Sequence, residues 1–208
     1  MLASNLIDNG VIPVSVTEAI YDRRAVRGYT AEQVGERVLR SLLDAAVHAP
    51  TAMHQEPWRF VIVQDRLLLR RLSDRAKEMA CDAAAQHGNL LKPAGAAGDG
   101  LVSPLADPEF NIFYDARTLV VICAKPANDF VVADCWLAAE NLMLAAHAAR
   151  LGTCCIGFAV RVLNAPEVKK ELGIPADLQA IAPIIVGVPR GEARVVPRKS
   201  PVVLNWIR

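Results

Sequence analysis

The sequence predicts an α+β fold, a three-layer α/β/α sandwich within one domain, and three observations point there. Short β-branched runs at 59–65, 117–124 and 180–189 read as strands, and helical patterns fill the stretches between them. No internal repeat or clear linker divides the chain. Of its 208 residues 53% are hydrophobic, enough to bury a sizeable core.

The elements follow in chain order. Ser15-Val16-Thr17-Glu18 has the form of a capping box, opening a short helix that should end near the arginines of "YDRRAVRGYT" (21–30). Thr30-Ala31-Glu32-Gln33 is a second capping box. Behind it Val34, Val38, Leu42 and Ala46, with Leu39 and Leu43 alongside, form the apolar stripe of a helix reaching about His48 and stopped by Pro50. "RFVIVQD" (59–65) is the first strand, and residues 66 to about 86 are helical. The stretch 88–108 is rich in glycine and proline, which marks an insertion or lid. "RTLVVICA" (117–124) is a second, buried strand. "DCWLAAENLMLAAHAARLG" (134–152) is a helix apolar nearly all round, with Gly152 expected in the C′ position. Such a helix is buried, in the core or at a subunit interface. Asn164 should cap a short helix through Leu172. "AIAPIIVGVP" (180–189) is the third strand, where Pro183 suggests an edge or an irregular start. The tail "PRKSPVVLNWIR" is too apolar for a disordered end.

Composition removes several function classes. Lys plus Arg number 23 against 22 for Asp plus Glu, which argues against a nucleic-acid binder. Five cysteines, an odd number without a CxxC, suggest neither a disulfide framework nor a zinc ribbon. No secretory signal pattern opens the chain, and its apolar runs are far short of a membrane span. A soluble, reducing, cytoplasmic setting is expected. There is no dinucleotide fingerprint after a strand, no Walker A loop, no H-E-x-x-H and no G-x-S-x-G. The histidines His48, His54, His87 and His147 are scattered, so no metal site is expected, and His147 reads as a satisfied core or interface residue.

Three segments carry unusual chemistry. Arg23, Arg24 and Arg27 crowd within five positions beside Asp22, in the hinge between two helices. "APTAMHQEPWRFVIV" (49–63) is a polar turn leaving through Pro57-Trp58. "PRKSP" (197–201) is a second basic patch. Two compact cationic sites suit a phosphorylated organic cofactor, because arginine forks bind phosphate oxygens in bidentate fashion. From charge alone a solvated hinge with one ion pair from Asp22 fits as well.

The stretch "RRAVRGYT…LLDAAVHAPTAMHQEPWRFVIV" resembles the N-terminal signature of the FMN-dependent nitroreductase family. "AAENLMLAAHAARLGTCCIGF" resembles that family's central helix and following turn, while "IAPIIVGVPRG" and "PRKSP" resemble its last strand and terminal basic motif. Together they cover about residues 15 to 201. The resemblance implies a mixed central sheet flanked by helices, one FMN-binding domain over 1–208, and an intertwined homodimer with FMN at its interface. It implies that Arg23 and Arg24 contact the FMN phosphate, ribityl chain and pyrimidine edge, with Ala25 beside them and Arg27 by the pyrimidine ring. Pro50, Thr51, Ala52, Met53 and His54 match the turn that reaches the partner subunit's flavin. Cys155, Ile156 and Gly157 match the stretch against the isoalloxazine, and Arg198 and Lys199 match the C-terminal phosphate ligands.

The activity so implied is hydride transfer from NADH or NADPH to nitroaromatic, quinone or similar flat acceptors by a ping-pong mechanism, with no catalytic side chain of its own. Two alternatives stand beside it: a specialised relative that fragments flavin, removes halogen or oxidises rings, and a non-catalytic flavin-binding dimer. Ala25 replaces a common serine, His54 a common asparagine and Glu56 a glutamine. Cys154-Cys155 is read as small apolar filler rather than a redox pair.

Overall fold

A computed structural model of the chain describes residues 14–87, 105, 107–193 and 195–208. The expected insertion or lid at 88–108 lies almost wholly outside them. The described elements are α1 (Val16–Asp22), α2 (Glu36–Val47), a single 3-10 turn (Ala52–His54), β1 (Arg59–Val63), α3 (Arg66–His87) and β2 (Thr118–Ala124). They continue with α4 (Asp129–Ala148), β3 (Gly152–Cys155), α5 (Ala159–Leu163), α6 (Pro166–Glu171) and β4 (Gln179–Gly187).

The four strands form a sheet in the order β1-β2-β4-β3, antiparallel at every pairing. The expected mixture of strand directions reduces to an isolated parallel bridge between Ala25 and Thr153. Side chains on β2 alternate between two cores. Leu119, Val121 and Cys123 join a cluster with Leu69, Leu72 and Val162 from α3 and α5. Val120, Ile122 and Ala124 join one with Leu39, Leu42, Cys135, Ala138 and Leu142 from α2 and α4. Helices therefore cover both faces, which makes three layers and explains why β2 is buried along its whole length.

The capping box of α1 forms as expected: Ser15 Oγ accepts from the Glu18 amide at 3.2 Å, and the Ser15 amide donates to the Glu18 carboxylate at 2.7 Å. The second box does not. Thr30 Oγ1 accepts only from the Glu32 amide, and α2 begins at Glu36 behind Gly35 without a side-chain cap. Nor does Asn164 start a helix. It ends α5, while its amide bridges to β4, donating to Ala180 O at 2.9 Å and accepting from Ala180 N at 3.0 Å.

α4 is displaced from the expected 134–152. It starts behind Asn128, whose side chain accepts from the Val131 amide at 3.1 Å, and it ends at Ala148. Gly152 is not its C′ residue but the first residue of β3, a short strand absent from the sequence expectation. A Cβ on Gly152 would meet Val26 Cβ at 2.8 Å, so glycine is needed there for close approach rather than for a turn.

Pro183 is central, not on an edge, because β4 pairs with β2 on one side and β3 on the other. Its carbonyl accepts from the Ile156 amide at 2.9 Å. Nitrogen and carbonyl of one strand residue face the same side, so its missing N–H faces the side where β3 has ended at Cys155.

Candidate functional site

The hinge after α1 runs beside β3. The Val26 amide donates to Thr153 O at 2.9 Å, and the Tyr29 hydroxyl donates to Val26 O at 2.8 Å. Because the Ala25–Thr153 bridge is parallel, Arg23 and Arg24 lie at the Gly152 end of β3 and Arg27 at the Cys155 end. The arginine cluster and the 155–157 stretch are thereby brought together. Ile156 is buried, Cys155 half-buried and Gly157 exposed.

Each arginine has a different environment. Arg23 is half-buried, and its Nε lies 3.3 Å from Glu140 Oε1 on α4. That separation is an ion pair, yet the N–H is not aligned for a hydrogen bond. Arg24 donates through one terminal nitrogen to the carbonyls of Tyr21 and Arg23, covering the open end of α1. Arg27 is exposed and sits 5.9 Å above the Tyr114 ring. The Nε atoms of both Arg23 and Arg24 are buried without a hydrogen-bond acceptor. A buried charged donor left unpaired costs on the order of 1–3 kcal/mol or more, which an anion in the same place would offset. The donor set therefore fits a phosphate-bearing group.

Beside this pair opens a cleft of about 630 Å³, lined by Asp22, Arg23, Arg24, His147, Arg150 and Thr153 among others. His147, expected as a satisfied core or interface residue, is half-buried and lines this cationic cleft rather than the core. Burial holds its imidazole below the ordinary range against the pull of Asp22, and Arg150, Arg23 and Arg24 add to the depression. Neither His147 nor Arg150 was singled out as a site residue from the sequence. No sequence signal marks Arg150, because Gly152 two residues on reads as the helix end and only the structure puts Arg150 at the C′ position.

The Pro50–His54 turn sits elsewhere. Both carboxylate oxygens of buried Asp134 accept from the Ala52 amide, at 3.2 and 3.3 Å. Met53, His54 and Glu56 take positive φ values of 55°, 52° and 44°, and Met53 is 86% exposed. Asp134 and His147 are 13 residues apart, roughly 20 Å along α4, so within one chain the turn does not join the cluster. Arg198 and Lys199 do not join it either. They are exposed in the extended tail, with no hydrogen bond or ion pair among the described residues.

Burial keeps the thiols at the Cys155 end of β3 in their protonated form. Burial pushes Cys155 up to about 11 and also raises Cys154. Cys155 Sγ lies 3.6 Å from Met143 Sδ, a soft contact in an apolar setting. No cluster of three or more His, Cys, Asp or Glu able to hold a metal occurs among the described residues.

The fold is thus an α+β sandwich with two buried guanidinium Nε atoms, without hydrogen-bond acceptors, beside the edge strand β3. The nitroreductase family model matches residues 20–188, and the chain belongs to that family. A relative from Archaeoglobus fulgidus, provisionally named NADH dehydrogenase/NAD(P)H nitroreductase, is 29% identical over 83% of this chain and 84% of its own. A nitroreductase with bound FMN from Bacteroides fragilis is 26% identical, with a TM-score of 0.74 over 93% of this chain and 98% of its own. An iodotyrosine deiodinase bound to FMN and 3-iodo-L-tyrosine shares the fold at a TM-score of 0.68, with 24% identity, covering 93% of this chain and 100% of that one.

Proposed function

We propose that the protein is an FMN-dependent oxidoreductase that takes hydride from NADH or NADPH and delivers it to nitroaromatic, quinone or similarly flat acceptors, in two alternating half-reactions. The observation that carries this reading is the pair of buried, acceptor-less Nε atoms of Arg23 and Arg24 beside β3. FMN in the Bacteroides fragilis relative supports the identity of the ligand. When bound, FMN supplies the redox chemistry, and the residues of this chain bind and orient it. Arg23 and Arg24 hold the phosphate end. Ala25 is the small residue next to them, and Arg27 places positive charge near the ring, where reduction puts negative charge. Cys155, Ile156 and Gly157 would line the ring, with the half-buried Cys155 thiol staying protonated. No side-chain acid or base is required.

The reading includes a homodimer of single domains, in which Pro50–His54 and the Arg198–Lys199 tail serve the partner's cofactor. It is supported by surface that one chain leaves uncovered. Phe130, Trp136 and Leu137 of α4 are exposed, as are Met53 and the tail residues Val202, Leu204, Trp206 and Ile207. Among the described residues no helix is long and apolar enough to cross a membrane. Five free cysteines suit a reducing, cytoplasmic setting.

The deciding experiment is anaerobic. Purified protein is reconstituted with FMN, flavin bleaching by NADH and by NADPH is followed by stopped flow, and reoxidation is scored across an acceptor panel. Protein that takes up no FMN would sink the proposal. Reduction without reoxidation by any flat acceptor would favour a specialised chemistry such as dehalogenation, which the fold of the deiodinase relative also hosts.

A further inference from the structure

The C-terminus of α4 uses a motif that glycine ordinarily serves. The Leu151 amide donates to Ala146 O at 2.8 Å and the Arg150 amide to His147 O at 2.9 Å, the paired bonds of a Schellman ending. Its C′ residue is Arg150, with φ 61°. L side chains are disfavoured in that left-handed region, and glycine adopts it without steric cost. An arginine at C′ therefore works against the stability of this helix end. Such backbone cost gathers where function requires a particular side chain.

Position is what the arginine supplies. Arg150 lines the same cleft as Arg23, Arg24 and His147, and the acidic side chains on that lining are Asp22 and Glu192. Arg23 is already engaged by Glu140, whereas Arg150 takes part in no ion pair among the described residues. Three guanidinium groups thus face two carboxylates across a cleft whose buried Nε donors have no acceptor. The parallel bridge puts this cleft at the Gly152 end of the cluster, away from Cys155 and the Arg27–Tyr114 contact.

We propose that Arg150 is a further ligand of the cofactor's phosphate, held at the cleft by a backbone conformation that glycine would adopt more easily. The proposal rests on the reading that Arg23 and Arg24 bind the FMN phosphate. A third guanidinium adds a fork of donors that phosphate oxygens accept, at an exposed site where it remains solvated until the anion arrives.

The test compares FMN with riboflavin, which lacks the phosphate, by fluorescence titration of the full-length apoprotein. Arg150→Gly should weaken FMN binding about tenfold, the effect of losing one charge-assisted hydrogen bond, leave riboflavin binding unchanged, and raise the apoprotein's melting temperature. Arg150→Lys should bind FMN with intermediate affinity. Unchanged FMN affinity in Arg150→Gly, with a loss in Arg23→Ala, would overturn the Arg150 assignment and leave the cofactor reading standing. Equal losses for FMN and riboflavin would overturn it by assigning Arg150 to the fold. A wild-type chain that binds no FMN, or an Arg23→Ala chain that binds it normally, removes the underlying reading and the proposal with it.

Discussion

Single side chains carry most of the functional reading, and they divide by what they already touch. Arg24 spends a terminal nitrogen on the carbonyls ending α1, so its loss loosens that helix as well as the cleft. Arg23 is the cleaner probe. Arg23→Ala should lower FMN affinity by about 1–3 kcal/mol, the range for hydrogen bonds to charged groups, measured by fluorescence quenching. Arg27 is exposed over Tyr114 and carries no ion pair among the described residues. Arg27→Ala should lower the flavin midpoint potential more than it weakens binding, because a cation near the ring favours the reduced anion. A potential unchanged by that substitution would remove Arg27 from the ring end. Ala25 bridges Thr153 through its backbone and is exposed, and nothing in the structure explains alanine in place of serine there.

At the scale of elements, two close approaches align the hinge with the sheet. Val26 packs onto Gly152, and Tyr29 packs onto Gly187, where a Cβ would meet Tyr29 Cδ1 at 2.8 Å. Gly152→Ala should therefore destabilise the fold by about 1–3 kcal/mol through overpacking and weaken FMN binding as the hinge moves off β3. Urea denaturation and an FMN titration of the same variant check both parts. The Pro50–His54 turn depends on one buried carboxylate. Asp134→Ala leaves the Ala52 amide without its acceptor and three left-handed residues without their anchor. Limited proteolysis should then cut faster within 52–56, at an overall stability loss of about 1–3 kcal/mol.

For the whole molecule, buried and half-buried thiols should set an alkaline limit. Burial raises Cys123 and Cys155 to about 11 and Cys135 to about 12, from an ordinary value near 9. The unfolded chain releases these protons first, so the folded state's advantage is complete below pH 9. It is lost as pH rises through about 11 to 12. The melting temperature should fall across that window, and Cys135→Ala should make the fall shallower. An equally steep fall in that variant would count against the thiol as a cause. Assembly is the second property at this scale. Removing residues 195–208 deletes Arg198, Lys199 and a run of exposed apolar side chains. Sedimentation should show a dimer for the full chain and weaker self-association after truncation, together with weaker FMN binding.

By itself the sequence determined the parts that follow from local physics. Short β-branched runs and helical patterns placed β1, β2, β4, α3 and the end of α2 within a few residues, and Ser15 with Glu18 was a sufficient cap signal for α1. The crowding of Arg23, Arg24 and Arg27 pointed to an anion, and the ordered set of motifs pointed to the family. Tertiary structure decided what depends on residues far apart in the chain. Gly152 looked like a helix end because glycine at C′ and glycine under a neighbouring side chain read alike, and only the packing of Val26 separates them. Pro183 looked like an edge because its central place depends on where β3 stops. Which donors stay unpaired, and that Arg150 and His147 turn toward the same cleft as Arg23, follow from the meeting of α1, α4 and β3, since electrostatics at a site is set by distance in space rather than separation in sequence.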